Sequence, residues 1–398
     1  MLRIECSGTP YEHGTQAKSR VHGTLAFYQA FFRETAKLPW DAVETKAAEW
    51  LPLLRESYPE ILEELEGLAA GSELSKETIL ALNVRTEVAF GLYTDGCTAF
   101  AIHGPRNGIL SQNWDWKGAQ KGNIVQMTIR REGRPDLSIV TEAGIIGKIG
   151  LSAGVGTTLN AIAALGVDST RIPVHIALRK VLDWAGEEAV KHAGTADGHA
   201  NGSVHGYANG TTNGHANGDA KGKTNGHANG GSKLLAPPGT AELLASRLEK
   251  LGVASAGHII ISDGSQAIGL ETSYIDTARV RHIDVGEWDA IVHSNHYIEE
   301  HPGVRLGTNQ MPDSPARLAR ISKLVTQSLG GLKDDENVLD TVWTWLKDTE
   351  GFPGSICRDG AAGSETIFSI IMDLRNNVAK VKEGKPINDG EEFTLRPN

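Results

Sequence analysis

At Gly96 the chain changes texture, and this change limits the fold more than any other feature. Ahead of it, apolar residues recur at helical spacing over 23–35, 41–58 and 59–70. Ser75 then reads as the N-cap of a helix over 76–90. Beyond Gly96 come short β-rich runs separated by turn residues, at 98–103, 109–114, 124–130 and 137–141. Later runs of the same kind occupy 258–262, 267–271, 290–294, 366–372 and 379–381. Helical patterning returns at 174–191, after Thr240, and at 314–328. Helices grouped apart from antiparallel strands make an α+β fold.

One segment carries no fold information. Residues 193–233 hold eleven Gly, seven Ala, six Asn and four His, and no Leu, Ile, Phe, Trp or Met. Such a stretch buries too little apolar surface to offset its ordering entropy, so it is expected to be a disordered low-complexity insertion. Asn-Gly-His-Ala-Asn-Gly occurs at 213–218 and again at 225–230, but no repeat unit carries a hydrophobic face. The insertion falls between two helical patterns, so it lengthens a helix–helix connection.

Charge narrows the function classes. A net charge of −10 and a pI near 5.8 argue against nucleic acid or an anionic membrane as partner. No apolar run approaches the ~20 residues of a membrane helix, and residues 1–12 contain no apolar signal core. The three cysteines, Cys6, Cys97 and Cys357, cannot all pair within one chain. A disulfide scaffold is excluded and a reducing, cytoplasmic setting is expected.

Cys97 is the residue with most chemical content. It follows the Asp95-Gly96 turn signal and begins a β-rich run. The runs on either side of Gly104-Pro105-Arg106-Asn107-Gly108 read as a hairpin centred near residue 106. That register makes Cys97 and Asp115 cross-strand neighbours, about 5 Å apart at Cβ. A lone carboxylate raises a thiol pKa, so this pairing alone makes no reactive thiolate. It does suit an adjacent positive charge, such as a free α-amino group on Cys97 itself.

Asp95-Gly96-Cys97-Thr98 followed by Gln112-Asn113-Trp114-Asp115 resembles the acyl-coenzyme A:isopenicillin N acyltransferase (penicillin acyltransferase) family, fungal cysteine N-terminal-nucleophile hydrolases. The resemblance runs along most of the chain. It takes in Gly8-Thr9-Pro10-Tyr11-Glu12, Leu82-Asn83-Val84-Arg85-Thr86-Glu87 and Thr141-Glu142-Ala143-Gly144-Ile145-Ile146-Gly147-Lys148. His175-Ile176-Ala177-Leu178-Arg179, His293-Ser294-Asn295-His296 and Ser355-Ile356-Cys357-Arg358 complete it.

The resemblance implies a four-layer αββα sandwich and one domain over 1–398. It implies self-cleavage at Gly96–Cys97 into chains 1–96 and 97–398 that remain a heterodimer. Cys97 is then nucleophile and, through its α-amino group, its own base; an α-amino pKa of about 7.7–8.0 suits that task. Asp115 is expected to hold the ammonium or the attacking geometry, Asn295 to donate to the oxyanion, and Arg358 to orient Asp115. The implied reaction joins an acyl donor, acyl-CoA or another acyl thioester, to an amine in secondary metabolism, with no resident cofactor and no metal. An amidohydrolase using water, and more remotely a non-catalytic binding protein, are the alternatives. Ala99 stands where the family's penicillin-forming member has a second Thr, the motif after Glu12 is shortened, and the ending Arg396-Pro397-Asn398 is no peroxisomal signal. These departures point to an acceptor other than 6-aminopenicillanic acid.

Other signals carry less. Gly150-Leu151-Ser152-Ala153-Gly154 matches G-x-S-x-G, but the following residues read as strand where a nucleophile elbow needs a helix. The four His of the insertion fix no ligand geometry. The sequons at Asn201 and Asn209 are expected to stay bare, and residues 141–156 contain no P-loop or dinucleotide fingerprint.

Overall fold

The computed structural model describes residues 1–89, 96–200, 234–332, 338–361 and 363–398, without the side chains of 196–200. The expected helix over 41–58 is broken into Trp40–Ala47, a 3-10 turn Ala48–Trp50 and Leu51–Ser57. Pro52 is the cause: it offers no N–H to the preceding turn and fits only near the start of a new helix. Pro59 opens Pro59–Ser72 in the same way, and the Ser75 hydroxyl accepts from Thr78 N–H at 3.0 Å to cap Lys76–Asn83. The short helix Arg85–Ala89 follows. The end expected at Phe90 lies outside the described residues.

Among the described residues the strands form two large sheets. The first runs in the order Leu2–Ser7, Ile124–Arg131, Arg134–Glu142, Ile149–Ser152, Val155–Ala161, Gly257–Ser262, Ala267–Thr272 and Thr277–Arg279. The second runs Ile283–Val285, Trp288–His293, Gly96–His103, Gly108–Trp116, Glu365–Asp373, Val378–Glu383 and Glu392–Leu395. All pairings within them are antiparallel except Leu2–Ser7, which lies parallel to Ile124–Arg131 and was not legible as a strand. Val174–Ala200 and Thr240–Leu251 pack on the outer face of the first sheet. Ser314–Leu329 and Val338–Leu346 pack on the outer face of the second. The inner faces meet through Leu110, Trp114, Leu151 and Ile260. The layers are therefore α, β, β, α, as expected.

The helix expected over 174–191 continues to Ala200, through the first eight residues assigned to the disordered insertion. Adding residues to a formed helix fixes one residue per hydrogen bond and avoids the cost of nucleation, so even a Gly-containing stretch can extend it. Residues 201–233 lie outside the described residues. At the far side Gly239, with φ of 89°, occupies the N-cap expected for Thr240, whose hydroxyl donates to Pro237 O at 2.6 Å. The G-x-S-x-G match is a hairpin between Ile149–Ser152 and Val155–Ala161. Its two turn residues, Ala153 and Gly154, both have positive φ, the geometry of a tight two-residue turn.

Candidate active site around Cys97

The hairpin that carries Cys97 differs from the expected register by one residue. Cys97 lies opposite Trp114, and Asp115 lies opposite Gly96. The reason is in the loop. Gly108 is already paired with His103, and Gly104 N–H donates to Asn107 O at 3.0 Å, so four residues make the connection where five were assumed. A one-residue slip moves a side chain to the other face of a sheet. Cys97 and Trp114 belong to the core between the sheets. Asp115 shares the opposite face with Asn113, whose amide donates to Leu346 O and Ile356 O in the helical layer. Asp115 is thus not beside the thiol.

What Asp115 does meet is Gly96. A β-carbon placed on Gly96 would lie 3.0 Å from both Asp115 Cβ and Asp115 Oδ2. The missing side chain lets the carboxylate lie against the residue that precedes Cys97. Thr366 Oγ1 donates to Asp115 Oδ1 at 2.7 Å, and Arg358 Nε is 3.6 Å from Asp115 Oδ2. Both Asp115 and Arg358 are buried. Arg358 also donates through Nη1 to Ser364 Oγ at 2.6 Å and through Nη2 to Asp313 Oδ2.

The Cys97 peptide is gripped at both ends. Its N–H donates to Asn295 Oδ1 at 2.9 Å, and its carbonyl accepts from Arg317 Nη1 at 2.5 Å. Asn295 was expected to act as a donor to an oxyanion. In this structure its amide nitrogen donates to Ala161 O at 3.0 Å, and it faces Cys97 with its carbonyl oxygen. The partners leave no freedom in this assignment, because a backbone N–H and a guanidinium on one side can only donate. The segment carrying Asn295 is fixed by Ser314 Oγ, which accepts from Asn295 N–H at 2.6 Å.

Arg317 escaped the sequence reading. Its position could have been noticed, because it falls on the stripe of Ile321, Val325 and Leu329 that Ser314–Leu329 buries. An arginine at an apolar position of an amphipathic helix is buried for a reason. Burial pulls its pKa down, while Asp115 and Cys97 push it up, and the guanidinium stays charged. Asp313, Ser314 and Thr366 were also missed, since a single hydroxyl or carboxylate at the end of a helix or strand carries no periodic signal.

The remaining cysteines are a different chemical case. Burial, aided by Glu64, pushes Cys6 up to about 12; burial, aided by Asp115, pushes Cys357 up to about 11. Neither forms a thiolate near neutrality. Three of the sequence motifs meet in one buried support. Arg85 and Lys148 both pair with Glu142, Tyr28 and Gln120 donate to it, and His175 lies between Gly147 O and Thr86 Oγ1. Burial pushes the Glu142 carboxyl up, but Arg85 and Lys148 outweigh it and hold the group well below the usual range. Lys148 Nζ sits 3.4 Å from the centre of the Trp114 ring, the residue opposite Cys97. Gly8–Glu12 builds a capping box at the start of Pro10–Gln16. Among the described residues no cluster of His, Cys, Asp and Glu could hold a metal ion, and no helix is long and apolar enough to cross a membrane.

Residues 238–388 match the family model described as acyl-coenzyme A:6-aminopenicillanic acid acyl-transferase. The chain is 29% identical to the acyl-coenzyme A:6-aminopenicillanic-acid-acyltransferase 40 kDa form of Emericella nidulans, over 99% of this chain and 96% of that protein. Similar solved structures include penicillin V acylase from Agrobacterium tumefaciens, with a TM-score of 0.40 and 12% identity, covering 75% of this chain and 86% of that one. A mutant of the conjugated bile acid hydrolase from Clostridium perfringens has a TM-score of 0.42 and 11% identity, covering 75% and 92%.

Proposed function

Because residues 238–388 match the acyl-coenzyme A:6-aminopenicillanic acid acyl-transferase model and the relative above is similar along nearly the whole chain, we propose that this chain is a member of that family, a self-processing acyltransferase that forms an amide through a thioester on Cys97. The observation that carries this reading is the hold on the Cys97 peptide. Its nitrogen faces the Asn295 amide oxygen, and the residue before it lies against Asp115. Attack of the Cys97 thiol on the Gly96 carbonyl breaks the peptide C–N bond and leaves an ester on sulfur. Water then hydrolyses that ester, giving a carboxylate on Gly96 and a free α-amino group on Cys97. Chains 1–96 and 97–398 share their cores and remain one heterodimer.

In turnover the α-amino nitrogen takes the thiol proton, and sulfur attacks the acyl carbonyl of an acyl thioester such as acyl-CoA. The thiol leaving group departs with that proton. An amine then attacks the acyl-enzyme, and its surplus proton passes to Cys97 as the thiol is regenerated. Asp115, set by Thr366 and Arg358, provides the fixed anion near the new chain start. The chemistry requires no resident cofactor, and the amine acceptor belongs to a biosynthetic rather than a degradative step. Water as acceptor would make the same acyl-enzyme an amidohydrolase.

Intact-mass measurement of purified protein should give two chains parted between Gly96 and Cys97, and Cys97→Ala should give one. An acyl thioester supplied with a panel of amines should yield amide in excess of free acid. A wild-type chain that stays whole yet turns over would overturn the cleavage step. Free acid dominating at saturating levels of every amine would favour the hydrolase.

A further inference from the structure

We propose that Arg317 is a positioning residue that fixes the Cys97 carbonyl and the Asn295 amide so that the nitrogen released by cleavage is presented to Asn295 as a free-base amine. The inference rests on the cleavage reading above and adds a group to it. Arg317 is buried, and each arm of its guanidinium is committed. Nη1 donates to Cys97 O at 2.5 Å and Thr98 Oγ1 at 3.2 Å. Nη2 donates to Asn295 Oδ1 at 2.8 Å and approaches Met311 Sδ at 3.7 Å. Nε donates to Asp313 Oδ2 at 2.8 Å, the oxygen that also accepts from Arg358. Asp313 therefore ties the arginine at the nucleophile to the arginine at Asp115.

Two consequences follow from this geometry. The first concerns orientation. Asn295 Oδ1 receives Arg317 and the Cys97 nitrogen together, so the guanidinium holds the amide with its oxygen toward that nitrogen. Without Arg317 the oxygen would keep the Cys97 N–H, and the amide nitrogen its bond to Ala161 O, but the charged donor that fixes the amide would be lost. The second concerns charge. After cleavage the nitrogen can take up a proton, and a fixed cation bonded to the same Asn295 oxygen disfavours the ammonium. The neutral amine is the form that accepts the thiol proton. In the reaction the Sγ–H bond breaks, the proton moves to that nitrogen, and the Sγ–acyl bond forms as the donor thiol leaves.

Among the described residues, other charged and titratable groups face this nitrogen from several packed elements. Asp115 on the neighbouring strand favours the ammonium and is partly offset by Arg358. Asp313 offsets Arg317. Cys357 stays protonated. His293 pairs with Glu271 on the other side of the segment that carries Asn295. His296 lies with Nδ1 at 2.7 Å from Ser314 Oγ. Lys148 Nζ lies over the Trp114 ring, 3.4 Å from its centre. Of these, Arg317 is the cation that shares a hydrogen-bond acceptor with the nitrogen.

The test compares full-length wild type, Arg317→Gln and Arg317→Lys. Cleavage is followed by intact mass. The pH dependence of kcat/KM for acyl transfer is normalised to the amount of cut chain. For Arg317→Gln the acid limb should move up by about one pH unit, a loss of about tenfold below the limb that is recovered on the alkaline plateau. Arg317→Lys keeps the charge but loses the fork, so its limb should stay in place while the plateau falls. If the glutamine variant fails to fold or cut, the lysine variant carries the test, and a raised limb there refutes the proposal. His296→Gln should retain the wild-type limb, which separates that imidazole from the amine. A glutamine variant that loses the same factor at every pH, or nothing, overturns the inference. A wild-type chain never cut at Gly96–Cys97 overturns the underlying reading instead.

Discussion

If the proposed cleavage occurs, replacing Gly96 by alanine should separate it from turnover. The new methyl would lie 3.0 Å from Asp115 Cβ and Oδ2 and 3.4 Å from Met311 Cε, where 3.4–4 Å is ordinary contact. Asp115 or the strand must withdraw by a few tenths of an ångström. A displacement of about 1 Å costs about 10²-fold in rate, so roughly half of that predicts cleavage slowed about tenfold. Gly96 is not among the glycines with positive φ, so alanine adopts its backbone without strain. The lower entropy of the unfolded chain offsets ~0.4–1 kcal/mol of the ~1–3 kcal/mol expected from overpacking. Thermal stability should change little. Once cut as proposed, residue 96 would be a chain end, free to move away, so turnover per cut chain should match wild type. The assay is a time course of intact mass from freshly made precursor, followed by activity per cut chain. Cleavage at the wild-type rate, or a tenfold loss that persists in the fully cut enzyme, would refute the steric reasoning.

Glu87 supplies a pH-dependent prediction. Burial pushes its carboxyl up to about 7, against hydrogen bonds from Val174 N–H and Ser255 Oγ. A carboxyl raised in the fold lowers stability as pH climbs from its unfolded value of about 4.3, and the loss levels off above about pH 7. Glu87→Gln should therefore gain in melting temperature over wild type progressively between about pH 4 and 7; a difference flat in pH would count against it. Replacing residues 201–233 with a short Gly/Ser linker should leave cleavage and turnover within a few-fold, because loop-closure entropy changes slowly with length. Inactivity in a folded deletion variant would mean that the segment takes part in function.

The layered α+β architecture was legible because period-2 and period-3.6 patterns are long and well separated by turn residues around Gly104–Gly108 and in Gly264–Ser265. Leu2–Ser7 was not, since a parallel edge strand shows no turn signal linking it to its partner at Ile124–Arg131. The hairpin that carries Cys97 and Asp115 was legible from the sequence. The face on which each lies was not, because it turned on whether Gly108 belongs to loop or strand. Asn295 and Arg358 were named through the resemblance; Arg317 was open to discovery from its apolar helix position but acquires meaning only when Ser314–Leu329 is laid across the start of Gly96–His103.

The one-residue register has a mechanistic consequence. With thiol and carboxylate on the same face, Asp115 would work against thiolate formation by direct repulsion. With them on opposite faces, the sheet itself stands between the two charges, and the nitrogen at the strand start is the atom within reach of both sides. Asn295 Oδ1 already accepts from that nitrogen, and Asp115 lies against Gly96, the residue from which the proposed cleavage would part the nitrogen. Under the proposed mechanism, losing the peptide bond to Gly96 gives the nitrogen the protons and lone pair it needs, between an amide oxygen held by Arg317 and a carboxylate held by Thr366 and Arg358. Before the cut the same nitrogen is a planar amide with no basicity, and Cys97 is buried. Under that mechanism a single hydrolytic event would both supply the base and release the chain end at Cys97, which ties activity to processing.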